Sequence, residues 1–150
     1  MLKRSIFFLI LVLVVAALAL SACGGGSKPA ASSQPAASAA GNVETGKKLF
    51  NEPVIASAGS PGCVTCHSLE KGKTLVGPSM AGIATEVTKD LKDPAYKGTA
   101  KTVEAFLSES ILDPDVWLTA GFKAGIMPKT YNKLSAQEVN DLVAYLLTLK

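Results

Sequence analysis

The stretch Cys63-Val64-Thr65-Cys66-His67 decides what this 150-residue chain folds around. Two cysteines at this spacing, followed directly by a histidine, form the pattern through which a c-type haem is attached. The two thiols can form thioethers with the two vinyl groups of one porphyrin, and the adjacent histidine can then ligate the iron. The motif therefore predicts one covalent haem c held by Cys63, Cys66 and His67.

Other uses of a Cys-x-x-Cys pair fit the chain less well. A redox-active disulfide of this spacing is expected within a βαβ pattern, which the sequence does not show. A zinc site needs four ligands, whereas the motif supplies three, and the chain holds no other histidine. A chance match is disfavoured by the export signal and the helix pattern described below.

His67 is the only histidine in the sequence, so two histidines cannot ligate the haem iron within one chain. The sixth ligand is then a methionine, a weaker group or nothing. Met80 and Met127 are the methionines that follow the motif. Met127 is separated from His67 by more residues than Met80 is, and this longer separation favours approach to the opposite haem face. Residues 121–128 around Met127 also contain two glycines and a proline that can shape the loop. We expect Met127 to be the ligand and Met80 to pack in the core; Met80 as ligand and an open sixth site are the alternatives.

The amino terminus has the pattern of a secretory leader. Lys3 and Arg4 precede an apolar run over residues 6–20, which is shorter than the roughly 20 residues of a membrane-spanning helix. The run ends in Leu20-Ser21-Ala22-Cys23, which resembles the lipobox of bacterial lipoproteins. That resemblance implies removal of residues 1–22 and lipid on Cys23. A permanent anchor helix and an ordinary signal peptide with an incidental cysteine are the alternatives.

Residues 24–40 are rich in glycine, serine, proline and alanine, so they cannot build a core. Together with the lipidated Cys23 they form a predicted flexible tether, residues 23–40, with a reach of roughly 20–25 Å. The folded domain is predicted over residues 41–150. Lipid would hold it at a membrane outside the cytoplasm, in the periplasm or on the outer face of the cell membrane, where c-type haem is attached.

Charge argues against a nucleic-acid partner. The chain has 15 basic and 12 acidic residues, and loss of Lys3 and Arg4 with the leader leaves a net charge of about +1. A nucleic-acid-binding domain is usually far more basic. No nucleic acid is expected among the partners.

Helix signals dominate the domain. Apolar spacing predicts helices over residues 43–51, around residues 80–86 and over residues 102–112. Ser135 and Glu138 form a capping box that starts a last helix. The intervening loops, residues 52–66 and 113–134, are long for a compact domain and need an organiser, which a buried haem provides. The fold class expected is all-α, with helices and long loops wrapped around one haem.

Over residues 41–150 the chain resembles the class I c-type cytochromes, and most of all the small domains associated with bacterial respiratory oxidases. The resemblance rests on features in the family's order: Gly46 and Phe50, residues 63–67, Gly77-Pro78 with Gly82, Ser110-Ile111 with Pro114, Gly121-Phe122, Met127-Pro128 with Tyr131, and residues 142–146. No copper-binding domain precedes it, so the chain is not an oxidase subunit II. Residues 89–101 look like an added loop, and the sequence does not indicate its role.

The resemblance also implies roles for single residues. The Pro78 carbonyl would accept the second ring N–H of His67 and so orient the imidazole. Phe50 and Tyr145 would meet where the first and last helices cross, with Gly46 allowing the close approach. Trp117 would pack at the haem edge or donate to a propionate, or would simply be buried.

The function expected is single-electron transfer by a non-enzymatic, membrane-tethered carrier between respiratory or photosynthetic redox partners, such as an oxidase, a quinol-oxidising complex or a reaction centre. A fixed haem subunit of a larger membrane complex is the alternative. A peroxidase or gas sensor would need an open sixth site, which Met127 argues against. Four lysines near the ligand segments would steer acidic partners or belong to an ordinary solvated surface: Lys71, Lys73, Lys123 and Lys129.

Overall fold

The computed structural model describes residues 40–150. The predicted leader, Cys23 and the tether up to residue 39 lie outside the described residues. Within residues 40–150, no helix combines the length and the apolar character that crossing a membrane requires.

Helices dominate the described chain, as the sequence predicts. The α-helices are α1 (Val43–Asn51), α2 (Ile83–Asp90), α3 (Val103–Leu112) and α4 (Ala136–Leu146), and short 3-10 turns cover Cys63–Thr65 and Lys129–Lys133. Two strands of two residues, β1 (Val54–Ile55) and β2 (Ser60–Pro61), pair antiparallel with Ile55 opposite Ser60. The all-α class is confirmed, and the strands form one small hairpin within the predicted loop over residues 52–66.

The frame of the domain is the crossing of α1 and α4. A Cβ atom on Gly46 would lie 1.8 Å from the Asp141 carbonyl oxygen, so only glycine lets the two backbones come this close. One turn further along, Phe50 and Tyr145 pack edge to face with ring centroids 5.4 Å apart. The expected aromatic contact at the helix crossing is confirmed.

Side-chain caps fix the ends of the frame helices. The Asn42 side chain accepts the Thr45 N–H at 2.9 Å at the start of α1. The predicted capping box of α4 is confirmed, because Ser135 accepts the Glu138 N–H and the Glu138 carboxylate accepts the Ser135 N–H.

The second helix differs from its prediction. It was expected around residues 80–86 but begins at Ile83 and ends at Asp90. Gly82 precedes it in the left-handed conformation, with φ at 78°, and a right-handed helix cannot continue backwards through that residue. Part of the predicted added loop, residues 89–101, is therefore the last turn of α2.

The rest of that added loop packs over α3. The Tyr96 ring lies 5.0 Å from Phe106 and 6.0 Å from Trp117, measured between ring centroids. Its hydroxyl donates to Glu109, which also accepts the Thr99 N–H at 2.8 Å. These hydrogen bonds lower the pKa of Glu109, and the loop thereby covers the end of the domain where Trp117 lies.

Candidate functional site

One large cleft opens between the loops and the helices. It encloses about 1250 Å³, its open mouth included. Its lining is mostly apolar and includes six side chains that matter below: Cys63, Cys66, His67, Met80, Trp117 and Met127. The cleft therefore brings together the predicted attachment residues and both methionines that follow them.

Residues 62–82 form one side of the cleft, here called the histidine wall. Backbone hydrogen bonds fold it back on itself: His67 N–H donates to the Cys63 carbonyl at 2.9 Å, and Gly77 N–H donates to the Cys66 carbonyl at 2.9 Å. Met80 N–H donates to the Ser68 carbonyl at 2.8 Å. The segment after the motif thus runs beside the motif itself and presents Pro78 to His67.

The His67 ring is fixed on its edge and on its face. Its Nδ1 lies 2.9 Å from the Pro78 carbonyl oxygen, the contact that the resemblance implies. A carbonyl can only accept, so Nδ1 carries the hydrogen and Nε2 keeps its lone pair for a metal. Burial lowers the pKa of His67 although Pro78 opposes the shift, so the ring is neutral, as ligation requires. A Cβ on Gly77 would lie 2.5 Å from His67 Cε1, so glycine gives the ring its place.

The two cysteines are separate thiols rather than a disulfide. Burial raises the pKa of Cys63 to about 11. A redox-active Cys-x-x-Cys pair instead depends on a thiol with a lowered pKa, at a helix N-terminus or beside positive charge. The raised pKa of Cys63 therefore does not fit a thiol–disulfide exchange site.

Residues 113–131 supply another part of the cleft lining, here called the methionine wall. Met127 is half-buried and lines the cleft. Just beyond it, the Tyr131 hydroxyl donates to the Pro61 carbonyl at 2.6 Å, and the Thr130 and Ser60 hydroxyls contact each other. These side-chain contacts tie the methionine wall to the hairpin that leads into the cysteine motif.

Met80, the other candidate ligand, also lines the cleft and packs against the core. It belongs to the histidine wall, where its N–H is bonded to the Ser68 carbonyl. The two methionines thus belong to different segments of the cleft lining, and Met80 shares its segment with His67.

Two buried polar atoms in the cleft lack a protein partner. The Ser110 hydroxyl and the Trp117 Nε1 make no hydrogen bond to any residue that the structure describes. Burial raises the pKa of Asp90, and the nearby Trp117 N–H opposes that rise. Buried polar groups normally have partners, so these atoms fit a cleft built around a group that carries polar substituents of its own.

The four lysines singled out from the sequence fall into two pairs. Lys73 is ion-paired with Glu70 and Lys129 with Asp115, each at 2.8 Å. Lys71 and Lys123 make no ion pair within residues 40–150; both are exposed, and Lys123 lines the cleft.

Sequence reasoning missed two side chains that shape the methionine wall, Asp115 and Thr130. Asp115 accepts the Gly125 N–H and pairs with Lys129, and Thr130 contacts Ser60. Neither belongs to a motif, and the residues they contact are 10 to 70 positions away. The sequence signal available was only the turn-forming Asp113-Pro114-Asp115 segment.

The fold and the site together define a small all-α domain whose loops enclose one apolar cleft, with two thiols and an oriented imidazole on its lining that could hold a prosthetic group. The sequence model of the cytochrome c family matches residues 43–150, and the chain belongs to this family. The cofactor of the family is covalent haem c, and the spacing of Cys63 and Cys66 fits it. Searches of curated proteins and of solved structures returned no match. As a cytochrome c the protein acts in haem-based electron transfer.

Proposed function

We propose that this protein is a membrane-tethered carrier that passes single electrons between redox partners outside the cytoplasm, with His67 and Met127 as the axial ligands of one haem c. When bound, haem c supplies an iron that takes up and releases one electron. The observation that carries the proposal is the convergence of Cys63, Cys66, His67 and Met127 on one apolar cleft.

The chain's own residues perform three tasks in this proposal. Cys63 and Cys66 retain the cofactor through thioethers, so that a domain with an open cleft does not lose it. Pro78 keeps the His67 ring oriented and its Nε2 available, which makes the imidazole a better donor. Met127 supplies a neutral thioether, and a ligand of this kind raises the reduction potential of the iron.

The optical spectra of the native protein and of Met127→Ala and Met80→Ala test the ligand assignment. Both substitutions remove one thioether from the cleft, so Met80→Ala is the matched control. We expect Met127→Ala to lose the low-spin, methionine-ligated spectrum and to bind carbon monoxide rapidly once reduced, whereas Met80→Ala keeps the native spectrum. The reverse pattern would assign the ligand to Met80, and native spectra for both would contradict methionine ligation.

The tether is proposed from the sequence alone, because Cys23 and residues 24–39 lie outside the described residues. The support is the lipobox-like Leu20-Ser21-Ala22-Cys23 and a low-complexity segment that ends where the family match begins. We expect native protein to fractionate with membranes and Cys23→Ser to be released into the soluble fraction with its haem attached. Mass spectrometry of the mature amino terminus checks the site, and an unlipidated terminus would contradict the tether.

An acidic face on the redox partner is proposed from the unpaired lysines. Lys71 and Lys123 keep their positive charge available, whereas the charges of Lys73 and Lys129 are partly neutralised by their acidic partners. We expect Lys71→Gln and Lys123→Gln to slow electron transfer to an acidic partner and to weaken its dependence on salt. Lys73→Gln is the matched control with a smaller effect, and equal rates for all three variants would contradict steering by these charges.

A further inference from the structure

A single carboxylate bridges the two flanks of Met127. Asp115 Oδ1 accepts the Gly125 N–H at 2.8 Å, and Asp115 Oδ2 lies 2.8 Å from Lys129 Nζ. Gly125 and Lys129 are two residues before and two residues after Met127. One side chain therefore holds both ends of the short arc that carries the methionine.

Asp115 is itself fixed to the helical frame. Asp113 N–H donates to the Glu109 carbonyl at 2.8 Å at the end of α3, and Val116 N–H donates to the Asp113 carbonyl at 3.0 Å. Pro114, directly before Asp115, is buried. The carboxylate is thus presented from a turn that is anchored in the fold and whose backbone is stiffened by proline.

The arc has little else to hold it. Residues 123–126 are exposed, and Ile126, next to the methionine, is 53% exposed. Gly125 adopts a φ of 78°, a conformation that points its N–H towards Asp115 and that other residues rarely take. Apolar packing therefore holds the arc at Met127 itself but not along residues 123–126, where polar contacts matter more.

We propose that Asp115 is a positioning residue that clamps the Met127 arc against the cleft and so determines how readily the methionine sulfur is displaced from the iron. This inference rests on the proposed His67/Met127 ligation. The clamp joins a charge-assisted hydrogen bond from the backbone to an ion pair on the other flank, and such bonds are stronger than neutral ones. The Lys129 ammonium and the Gly125 N–H lower the pKa of Asp115, so the carboxylate is charged at neutral pH.

Imidazole titration of the oxidised holoprotein, followed by its optical spectrum, tests the clamp. Imidazole can ligate the iron only when the methionine sulfur leaves, so its apparent affinity reports how easily the arc opens. We expect Asp115→Ala, which loses both contacts, to bind imidazole about tenfold more tightly than the native protein. Asp115→Asn retains an acceptor for Gly125 and loses only the ion pair, so about a threefold change is expected.

Asp113→Asn is the matched control. Asp113 lies 3.7 Å from the same Lys129 and carries the same charge in the same turn, but it does not contact Gly125. We expect its imidazole affinity to stay close to native. Equal affinities for Asp115→Ala, Asp115→Asn and the native protein would overturn the clamp, and so would equal increases in the Asp113 and Asp115 variants, because the effect would then be loss of charge alone.

Met127→Ala separates failure of the clamp from failure of the proposed ligation. If Met127→Ala keeps the native spectrum, the ligation is wrong and the clamp fails with it. If Met127→Ala loses that spectrum while the Asp115 variants titrate as native protein, the ligation stands and only the clamp is wrong. Unfolding midpoints in denaturant show whether Asp115→Ala is folded; the milder Asp115→Asn decides the question if it is not.

Discussion

The two walls of the cleft are held in different ways. The histidine wall is fixed mainly by its backbone, with seven hydrogen bonds between main-chain groups of residues 62–82 and the Pro78 carbonyl against the His67 ring. The methionine wall is fixed mainly by side chains: Asp115 holds the arc around Met127, and Tyr131 reaches across to Pro61.

This difference decides how each wall responds to mutation. Backbone hydrogen bonds persist when most side chains are changed, so the histidine wall should tolerate most substitutions. The exceptions are glycines where a Cβ would meet another atom, which are Gly62 against the Glu52 carbonyl and Gly77 against the imidazole. A wall held by single side chains can be loosened by single substitutions. Under the proposed ligation, His67 would be the firmly held ligand, and the hold on Met127 could be adjusted one residue at a time.

The largest effect is expected from Gly77→Ala, which should break the histidine wall at the glycine that faces the His67 ring. The new methyl group would lie 2.5 Å from His67 Cε1, and overpacking of this kind costs about 1–3 kcal/mol. We expect the fraction of chains that carry correctly ligated haem to fall about tenfold, on the scale of that cost. Haem content per chain and the optical spectrum measure it.

Gly72→Ala is the control for that experiment. Gly72 lies in the same wall and has φ at 74°, but a Cβ there meets no atom within 4 Å. Its cost is backbone strain of about 1 kcal/mol, so stability should fall slightly while haem attachment and spectrum stay native. Similar losses in both variants would show that the wall fails through its backbone conformation and not through contact with His67.

Tyr131→Phe should loosen the methionine wall without unfolding the domain. The side chain is buried, and its hydroxyl bonds to the Pro61 carbonyl at 2.6 Å. Removing the donor leaves a carbonyl without its partner, which lowers the free energy of unfolding by about 1–2 kcal/mol. We expect imidazole to bind the oxidised protein a few times more tightly as well, because the arc before Tyr131 is less restrained.

Tyr145→Phe removes the same hydroxyl from a buried tyrosine in the α1–α4 crossing, away from both walls. It should leave the imidazole affinity native, whatever its effect on stability. If Tyr145→Phe weakens methionine ligation as much as Tyr131→Phe, the two walls are not independent of the frame and the comparison fails.

The frame and the histidine side could be predicted from the sequence because their signals are local. Residues 43–51 and the capping box at Ser135 and Glu138 specify α1 and the start of α4, and both are where they were expected. The motif and the following Gly77-Pro78 also lie close together in the chain. A contact such as His67 to Pro78 spans only 11 positions, so a family pattern can imply it.

The methionine side could be predicted only in part because its contacts are distant in sequence. Met127 and its glycines were recognised, but the bond from Tyr131 to Pro61 spans 70 positions and leaves no trace in any local pattern. The same reason explains residues 89–101, whose packing depends on Tyr96 meeting Trp117. The start of α2 differs from its prediction because the apolar spacing does not reveal the left-handed conformation of Gly82.

Ser135→Ala should destabilise the frame of α1 and α4 without changing either wall, which tests whether the walls respond independently of the frame. The substitution removes the hydroxyl that caps α4 and should lower the free energy of unfolding by about 1 kcal/mol. Ser135→Thr retains a capping hydroxyl and should restore most of that loss. Denaturant unfolding measures both, and imidazole affinity should be native in both, because neither wall loses a contact.

Glu138→Gln is expected to have the smallest effect, which appears only as a change in pH dependence. Glu138 accepts from Ser57 Oγ at 2.6 Å, which joins α4 to the hairpin before the cysteine motif, and from Ser135 at the cap. These hydrogen bonds lower the pKa of Glu138, and the one from Ser57 has the largest effect. A carboxylate with a lowered pKa stabilises the fold above its unfolded pKa of about 4.3, and that stability is lost as the pH falls through the folded pKa.

The native protein should therefore lose a few tenths of a kcal/mol more than Glu138→Gln between about pH 6 and pH 3, since the group is largely exposed. Glutamine keeps an acceptor oxygen and suits the capping box, so the two proteins differ mainly in this one titration. Other carboxylates titrate in the same range, but they do so in both proteins and cancel in the difference. Parallel stability curves would show that the link between α4 and the hairpin carries no charge-dependent stability.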